Sequence, residues 1–317
     1  MTHLIIYFPA FNEDMTIFDV INSTKITFEG IDKLTHLVID DGSIDNTVAQ
    51  SLAANAQVIS HKQNKGVGEA FQTAINYALK VNADVLVSFD ADGQFYASDI
   101  EKIIKPILTK KAEFVLGCRF LDGKPDKMST IKYNGNLVVN SIISKICKFK
   151  IKDASCGFRA YSKTALLNLN LHGSFTYTHE TILDLIDKGV DFEQIPISVR
   201  YFEGRKSRVA SNLYQYGIKT SRIIFKCFKD YAPFYFFGRL ALAVLALGLL
   251  MGGFVLWHWI SSGFISPYKS IGIIGLVLVG MSLMLFTIAL IADMLGRLRK
   301  NQERILYQLK KQSSDTD

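Results

Sequence analysis

The sequence predicts an α/β fold, a mostly parallel sheet with helices on both faces, followed by two membrane-anchoring helices. Three observations support this prediction. Short apolar runs rich in β-branched residues alternate with amphipathic segments over residues 1–120, which is the order that parallel sheets require. Polar residues follow most of these runs, and ligands bind at that edge of such sheets. Two long uncharged runs lie near the C-terminus.

The predicted strands cover residues 4–8, 35–39, 56–60, 84–89 and 114–119. Residues 64–68 open a helix whose apolar positions, among them Phe71, Ile75 and Leu79, share one face. The pattern weakens after residue 121. There we expect a basic helix over residues 127–148, a loop or short strand at 153–159, a helix over 175–189 and a strand over 192–202.

Asp90 and Asp92 come directly after the fourth predicted strand. Residues two apart in an extended stretch point to the same side, so both carboxylates could hold one divalent cation, with Gln94 adding a neutral oxygen. Magnesium or manganese held in this way completes its shell with substrate phosphates. A solvated acidic turn is the alternative, because Asp-x-Asp is a common pattern.

Other polar groups are expected at the same edge of the sheet. Glu13 lies in the loop after the first strand, Asp41 follows the second strand, and Arg119 ends the fifth. Strand ends of this kind meet in parallel sheets, which strengthens the prediction of a single site. The glycines of residues 64–68 could bind phosphate at a helix N-terminus, or could form an ordinary turn.

Composition and charge indicate a membrane protein. The chain has 317 residues and a net charge of +7, and its mean hydropathy of +0.19 is high for a purely soluble protein. Residues 240–260 and 271–292 are uncharged and long enough to span a bilayer, although a pair of buried core helices is the alternative. Much of the basic charge lies near these runs, which suits an anionic membrane surface rather than nucleic acid. The cysteines show no metal-ligand spacing and indicate reduced thiols in a cytosolic domain.

These features predict four regions. The first is a domain of residues 1–210, and the second is an amphipathic interfacial helix of residues 211–235. Two transmembrane helices within residues 236–292 and a basic tail helix of residues 293–317 follow. Aromatic residues at positions 234–237 suit the bilayer edge. Basic residues flank both spans, while the connecting loop of residues 261–270 holds one lysine. The positive-inside rule therefore predicts a multi-pass protein of the cell membrane, with the N-terminal domain and the C-terminus in the cytoplasm. No N-terminal signal peptide is expected.

Five stretches, in this order, resemble family 2 glycosyltransferases of the GT-A fold. More narrowly, they are similar to the branch that contains dolichol-phosphate mannose synthase and the bacterial polyprenyl-phosphate glycosyltransferases. The stretches are residues 9–13, 40–45, 64–68, 90–94 and 153–159. The resemblance covers roughly residues 1–210, and the two-helix anchor also fits that branch.

The resemblance implies an inverting transfer of a sugar from a UDP- or GDP-hexose to undecaprenyl or dolichyl phosphate. It also implies the roles of particular residues. The nucleotide sugar would be bound by Pro9, Phe11, Glu13, Asp41, Asp90, Ala91 and Asp92. Magnesium or manganese would be held by Asp90, Asp92 and Gln94. The acceptor phosphate would be bound by Arg119, Lys132, Arg200, Ser207 and Arg208, and the catalytic residues would be Asp92, Arg119 and Arg200. The spacing after Arg200 is longer than in the family, so either Lys206 or Arg208 could occupy its basic position.

Two other functions fit parts of the pattern. One is transfer to a sugar hydroxyl of a glycolipid, or processive polysaccharide synthesis. Processive enzymes of this fold carry Gln-x-x-Arg-Trp, whereas Trp257 and Trp259 lie in a predicted span with no arginine before them. The other is a non-catalytic membrane scaffold, against which the intact acidic stretch argues. A homo-oligomer remains open, because Leu298, Ile305 and Leu309 could form a subunit contact or pack on the same chain.

Overall fold

The structure is a computed structural model that describes residues 1–121, 123–125, 128–171, 177–201 and 233–316. It contains two compact units. The first combines Met1–Tyr216 with Ile305–Asp317, and the second is Gly217–Arg304. The interfacial helix predicted over residues 211–235 lies almost entirely outside the described residues.

The first unit is built on a seven-stranded sheet in the order β3-β2-β1-β4-β6-β5-β7. Its strands are β1 His3–Ala10, β2 Lys33–Asp40, β3 Gln57–Ser60, β4 Val85–Ser88, β5 Phe114–Cys118, β6 Arg159–Ser162 and β7 Phe192–Pro196. All neighbouring strands are parallel except at β6, which runs antiparallel to β4 and β5. The mostly parallel sheet that the sequence predicts is confirmed.

Two strands differ from the sequence prediction. β6 lies at the end of the segment predicted as a loop or short strand, and all four of its residues are buried between its neighbours. Because β6 runs opposite to β4, the loop before it lies where β4 ends. β7 ends at Pro196 rather than continuing to residue 202. Beyond it, the N–H of Ile197 still donates to the carbonyl oxygen of Cys118 at 3.1 Å, and Val199 forms an isolated antiparallel bridge with Phe95.

Helices connect the strands of the first unit. They are α1 Ile17–Ser23, α2 Thr47–Ala53, α3 Val67–Lys80, α4 Asp99–Leu108, α5 Thr130–Cys147, α6 Lys163–Asn168 and α7 Tyr177–Asp187. Residues 4–8 of β1 are all buried, as expected for a strand covered on both faces. Phe8 packs edge-on against Phe89 on one face, at 6.0 Å between ring centroids, and Tyr7 contacts Phe71 of α3 on the other, also at 6.0 Å.

The C-terminal part of the chain contains α8 Pro233–Ser262 and α9 Lys269–Thr316, both of which include stretches long and apolar enough to cross a membrane. The two helices meet at small residues. A Cβ atom added to Gly248 would lie 2.9 Å from the carbonyl oxygen of Gly275, and such backbone contact is typical of helix pairs in membranes. The predicted tail is therefore not a separate helix, because α9 runs without a break through residues 293–316.

The end of α9 belongs to the first unit. Lys310 Nζ donates a hydrogen bond to the carbonyl oxygen of Leu169 at 2.7 Å and to Oδ1 of Asn170 at 3.0 Å. Burial and the nearby charge of Lys188 lower the pKa of Lys310. The side chains of Leu298, Ile305 and Leu309, the predicted contact residues, are exposed, and the homo-oligomer stays a prediction.

Candidate active site

The loops after β1 and β2 are joined by backbone-to-side-chain hydrogen bonds. Asn12, in a left-handed conformation with φ of 54°, donates its N–H to Oγ of Ser43 at 2.9 Å, and its Oδ1 accepts the N–H of Ile44 at 3.0 Å. The N–H of Glu13 bonds to Oγ1 of Thr47 at 2.8 Å. These contacts fix the two loops at the carboxyl edge, by which we mean the edge where the parallel strands end.

Asp41 lies directly after β2 and organises the loop that follows β3. Its Oδ1 accepts hydrogen bonds from Nδ1 of His61 at 2.8 Å and from the N–H of Lys65 at 2.9 Å. Its Oδ2 accepts the N–H of Gly66 at 2.7 Å. A Cβ atom on Gly42 would lie 2.8 Å from the backbone of Gln63, so the two loops are in direct contact. The glycine segment 64–68 is thereby attached to the predicted nucleotide site.

The other residues of the predicted nucleotide site lie in or beside these loops. Pro9 and Phe11 are half-buried at the end of β1 and just after it. Ala91 is buried, and its carbonyl oxygen accepts a hydrogen bond from Oγ1 of Thr16 at 2.8 Å. Oγ1 of Thr16 also lies 3.3 Å from Oε2 of Glu13, which places Glu13 beside the stretch that follows β4.

Asp90 and Asp92 form the acidic centre of the carboxyl edge. Burial, the charge of Asp92 and the charge of Glu13 raise the pKa of Asp90 to about 7, against the opposing effects of Arg119 and Arg159. The raised pKa reflects burial first and repulsion from the neighbouring carboxylates second, and a divalent cation would favour the charged forms of these carboxylates. The side chains present therefore fit a bound divalent metal. Among the described residues, no three His, Cys, Asp or Glu residues form a complete metal site.

Gln94 links the acidic centre to the segment after β7. Its N–H donates to Oδ1 of Asp92 at 3.0 Å, and its carbonyl oxygen accepts the N–H of Arg200 at 2.8 Å. The guanidinium of Arg200 stacks on the ring of Tyr96, 3.9 Å from the ring centroid. Stacking leaves the N–H groups at the rim of the guanidinium available to an anion. Arg200, which is exposed, is thus held beside the predicted metal ligands.

The loop of residues 153–158 faces Asp90 and is fixed by a buried arginine. Arg159 is completely buried, and its guanidinium donates to the carbonyl oxygens of Ala154, Cys156 and Thr178 at 2.6 to 2.9 Å. Gly157 lies against the acidic centre, because a Cβ atom there would be 3.0 Å from Oδ1 of Asp90. The sequence grouped these residues in one stretch but gave no indication of this packing.

Arg119, a predicted ligand of the acceptor phosphate, forms a bidentate ion pair with Asp153. Nε lies 2.7 Å from Oδ2, and one Nη lies 2.9 Å from Oδ1. Burial opposes the charge of Arg119, but Asp153 outweighs this effect and raises the pKa of the guanidinium above its ordinary value. Nε and Nη2 of Arg119 both face Asp153, and Nη1 takes no part in this ion pair. The sequence did not assign a role to Asp153.

For the other predicted ligands of the acceptor phosphate, the structure gives less. Lys132 is half-buried in the first turn of α5. Asn140 of the same helix donates to the carbonyl oxygen of Lys152 and accepts the N–H of Ala154 at 2.8 Å, so α5 is attached to the loop that carries Asp153. Ser207 and Arg208 lie outside the described residues. The sequence also gave no indication that His61 contacts Asp41, because a single histidine after a strand belongs to no recognisable motif.

The fold and the sequence both identify the class of protein. Residues 5–169 match the family model described as glycosyl transferase family 2, and this match covers half of the chain. The chain therefore belongs to that family, as its resemblance implied, and it is a glycosyltransferase by family.

Individual relatives extend the comparison. A UDP-N-acetylglucosamine–dolichyl-phosphate N-acetylglucosaminyltransferase from Methanococcus voltae is 33% identical over 63% of this chain and 86% of its own length. Glycosyltransferase AglJ from Haloferax volcanii is 26% identical over 95% of this chain and 96% of its own length. Its similarity thus extends into the C-terminal helices.

A solved structure supports the fold. It is glucosyl-3-phosphoglycerate synthase from Mycobacterium tuberculosis, crystallised with Mn²⁺, uridine diphosphate and glucosyl-3-phosphoglycerate. The two structures superpose with a TM-score of 0.57 and 20% sequence identity, over 73% of this chain and 80% of the synthase chain. At this level of identity the likeness concerns the fold alone.

The ion pair predicts a specific pattern of stability and activity. Arg119→Ala leaves the buried carboxylate of Asp153 without its partner, which typically costs about 3–5 kcal/mol, so we expect a clearly lower melting temperature. The double variant Arg119→Ala/Asp153→Asn removes both charges and should recover much of that loss. If Arg119 also binds the acceptor, glycosyl transfer should stay impaired in the stabilised double variant. Thermal unfolding and transfer assays on the same preparations check this, and full transfer by the double variant would contradict the acceptor role.

Proposed function

We propose that this protein transfers a sugar from a nucleoside-diphosphate sugar to the phosphate of a polyprenyl lipid, with inversion at the anomeric carbon. The observation that carries the proposal is the placement of two cationic groups beside an acidic centre. Arg119 is paired with Asp153 in the loop whose Gly157 lies against Asp90. The backbone N–H of Arg200 donates to Gln94, whose own N–H donates to Asp92. The acidic centre suits a metal-bound diphosphate, and the cations suit a second anion close to it.

The donor side of the proposal uses the loops at the carboxyl edge. Asp90, Asp92 and Gln94 would hold magnesium or manganese, which stabilises negative charge on the departing nucleoside diphosphate. Asp41 would bind the base, and Pro9, Phe11, Glu13 and Ala91 would complete the nucleotide site. The Methanococcus relative is named for a UDP-sugar, and the Mycobacterium structure contains Mn²⁺ with uridine diphosphate. Both support a donor and a metal of this kind.

The acceptor side follows from the charge of a lipid phosphate. A phosphate oxygen is already anionic at neutral pH, so it can attack the anomeric carbon without a strong general base. It must, however, approach a donor that is also negatively charged. Arg119, Lys132 and Arg200 would offset that repulsion and orient the attacking oxygen. A dolichyl-phosphate acceptor in the name of the Methanococcus relative supports this choice of acceptor.

We further propose that α8 and α9 anchor the enzyme in the cell membrane. Their apolar side chains are largely exposed, which is costly in water and favourable in a bilayer. A polyprenyl substrate lies in the same bilayer, so the anchor would keep the enzyme at its acceptor. The basic residues around both spans favour a cytoplasmic catalytic unit and a cytoplasmic C-terminus.

The metal role of the acidic pair has a direct test. Asp92→Asn keeps the size of the side chain and removes one charge, so nucleoside diphosphate release with polyprenyl phosphate should fall by orders of magnitude. Asp19→Asn, which changes an exposed carboxylate on α1, is the matched control and should retain activity. Near-normal turnover by Asp92→Asn, or by the unaltered enzyme in excess chelator, would contradict a metal-dependent transfer.

The acceptor role of Arg200 predicts a selective defect. Arg200→Ala removes a charge-assisted contact worth about 1.5–3 kcal/mol, so transfer should fall roughly ten- to a hundredfold while nucleotide affinity changes much less. Arg200→Lys keeps the charge but loses the planar fork, and it should restore activity only in part. Lys80→Ala, at an exposed lysine of α3, controls for the loss of positive charge. Unchanged transfer in Arg200→Ala would remove this residue from the acceptor site.

The proposed topology predicts which positions can be labelled from outside the cell. A membrane-impermeant maleimide should modify Ser262→Cys, which lies at the end of α8, on intact cells. Ser313→Cys, near the end of α9, should react only after the membrane is permeabilised. The unaltered chain serves as the control for its own cysteines. External labelling at position 313 would exclude a cytoplasmic C-terminus.

A further inference from the structure

Asp41 has little hydrogen-bonding capacity left for a ligand. A carboxylate offers about four acceptor positions, two on each oxygen. Both positions on Oδ1 are taken, by Nδ1 of His61 and the N–H of Lys65, and one on Oδ2 is taken by the N–H of Gly66. Only 6% of the Asp41 side chain is exposed. One acceptor position therefore remains, on Oδ2.

We infer that the donor nucleotide carries uracil rather than guanine. This inference rests on the proposed nucleotide-sugar donor and on Asp41 as the residue that binds its base. Uracil presents a single N–H between two carbonyl groups, which one acceptor position satisfies. Guanine presents two adjacent N–H groups and would need both carboxylate oxygens, of which Oδ1 is occupied. Cytosine carries a lone pair on its ring nitrogen in place of that N–H, and the carboxylate oxygen would repel that lone pair.

His61 is the residue that keeps Oδ1 occupied. Its side chain is 8% exposed, and its second ring nitrogen lies 3.0 Å from Oγ1 of Thr73 on α3. The ring is thus held from both sides and cannot turn away from Asp41 without losing both contacts. His61 donates to Oδ1 of Asp41, whereas the acceptor position left for the base is on Oδ2. It is a positioning residue that sets how many N–H groups Asp41 can accept.

Substitutions at position 61 separate this role from a purely structural one. The amide nitrogen of asparagine occupies about the place of the histidine Nδ1, so His61→Asn keeps the donor to Asp41. The amide of glutamine reaches about the place of Nε2, so His61→Gln keeps a partner for Thr73 but loses the donor to Asp41. His61→Leu loses both. The preference for uracil over guanine should depend on whether the side chain at position 61 donates a hydrogen bond to Asp41, and not on the volume of that side chain.

Affinities for UDP, GDP and CDP measured by calorimetry test the inference. The measurement uses the full-length chain in detergent with Mn²⁺ present. We expect the unaltered protein to bind UDP at least about tenfold more tightly than GDP, and CDP more weakly than UDP, because an unpaired buried N–H is costly. His61→Asn should keep that ratio. His61→Gln and His61→Leu should bring the UDP and GDP affinities closer together, and Thr73→Val should change the ratio less than either.

The outcomes distinguish this inference from the proposed function. If GDP binds as tightly as UDP to the unaltered protein, the inference is wrong while a nucleotide-sugar donor still stands. If no nucleoside diphosphate binds, the proposed function fails and the inference fails with it. If folded His61→Leu and His61→Gln keep the original ratio, His61 does not set the selectivity. Should His61→Leu fail to fold, the ratio in the unaltered protein and in His61→Gln decides.

Discussion

The ion pair between Arg119 and Asp153 is the contact on which the arrangement of the site depends. Arg119 follows β5, and Asp153 belongs to the loop before β6, so the pair joins a parallel strand to the antiparallel strand inserted beside it. The Asp153 side chain has no exposed surface. A buried ion pair adds little net stability, but each charge is costly without the other. The loop that faces Asp90 therefore keeps one position as long as both charges are present.

The antiparallel strand explains why both signs of charge meet in one place. In a wholly parallel sheet, the segment before a strand lies at the amino edge, far from the ligand-binding loops. Because β6 is reversed, the loop of residues 153–158 reaches the carboxyl edge together with the ends of β4 and β5. Gly157 then contacts Asp90, and Asp153 reaches Arg119. One inverted strand thus brings a second loop against the acidic centre.

The sequence predicts those features that depend on local pattern. β1 and β4 are buried in the sheet, and β2 is buried over its second half. Asp90 and Asp92 follow β4 directly, so these strands and the acidic pair could be found from residue order alone. β6 could not be found in that way, because Arg159–Ser162 is short and becomes a strand through pairing on both sides. The pairing of Arg119 with Asp153 and of His61 with Asp41 joins residues 34 and 20 positions apart. Such contacts follow from the fold, and a pattern along the chain does not show them.

The contact of Lys310 with Leu169 and Asn170 joins residues 141 and 140 positions apart. Between them, the chain runs through both apolar helices before it returns to the first unit. Closing so long a loop is slow, since its entropy must be lost before the contact is made. During synthesis, all seven strands leave the ribosome before Lys310 does. The first unit therefore begins to form before its last contact can be made, and that contact waits until both apolar helices have been synthesised.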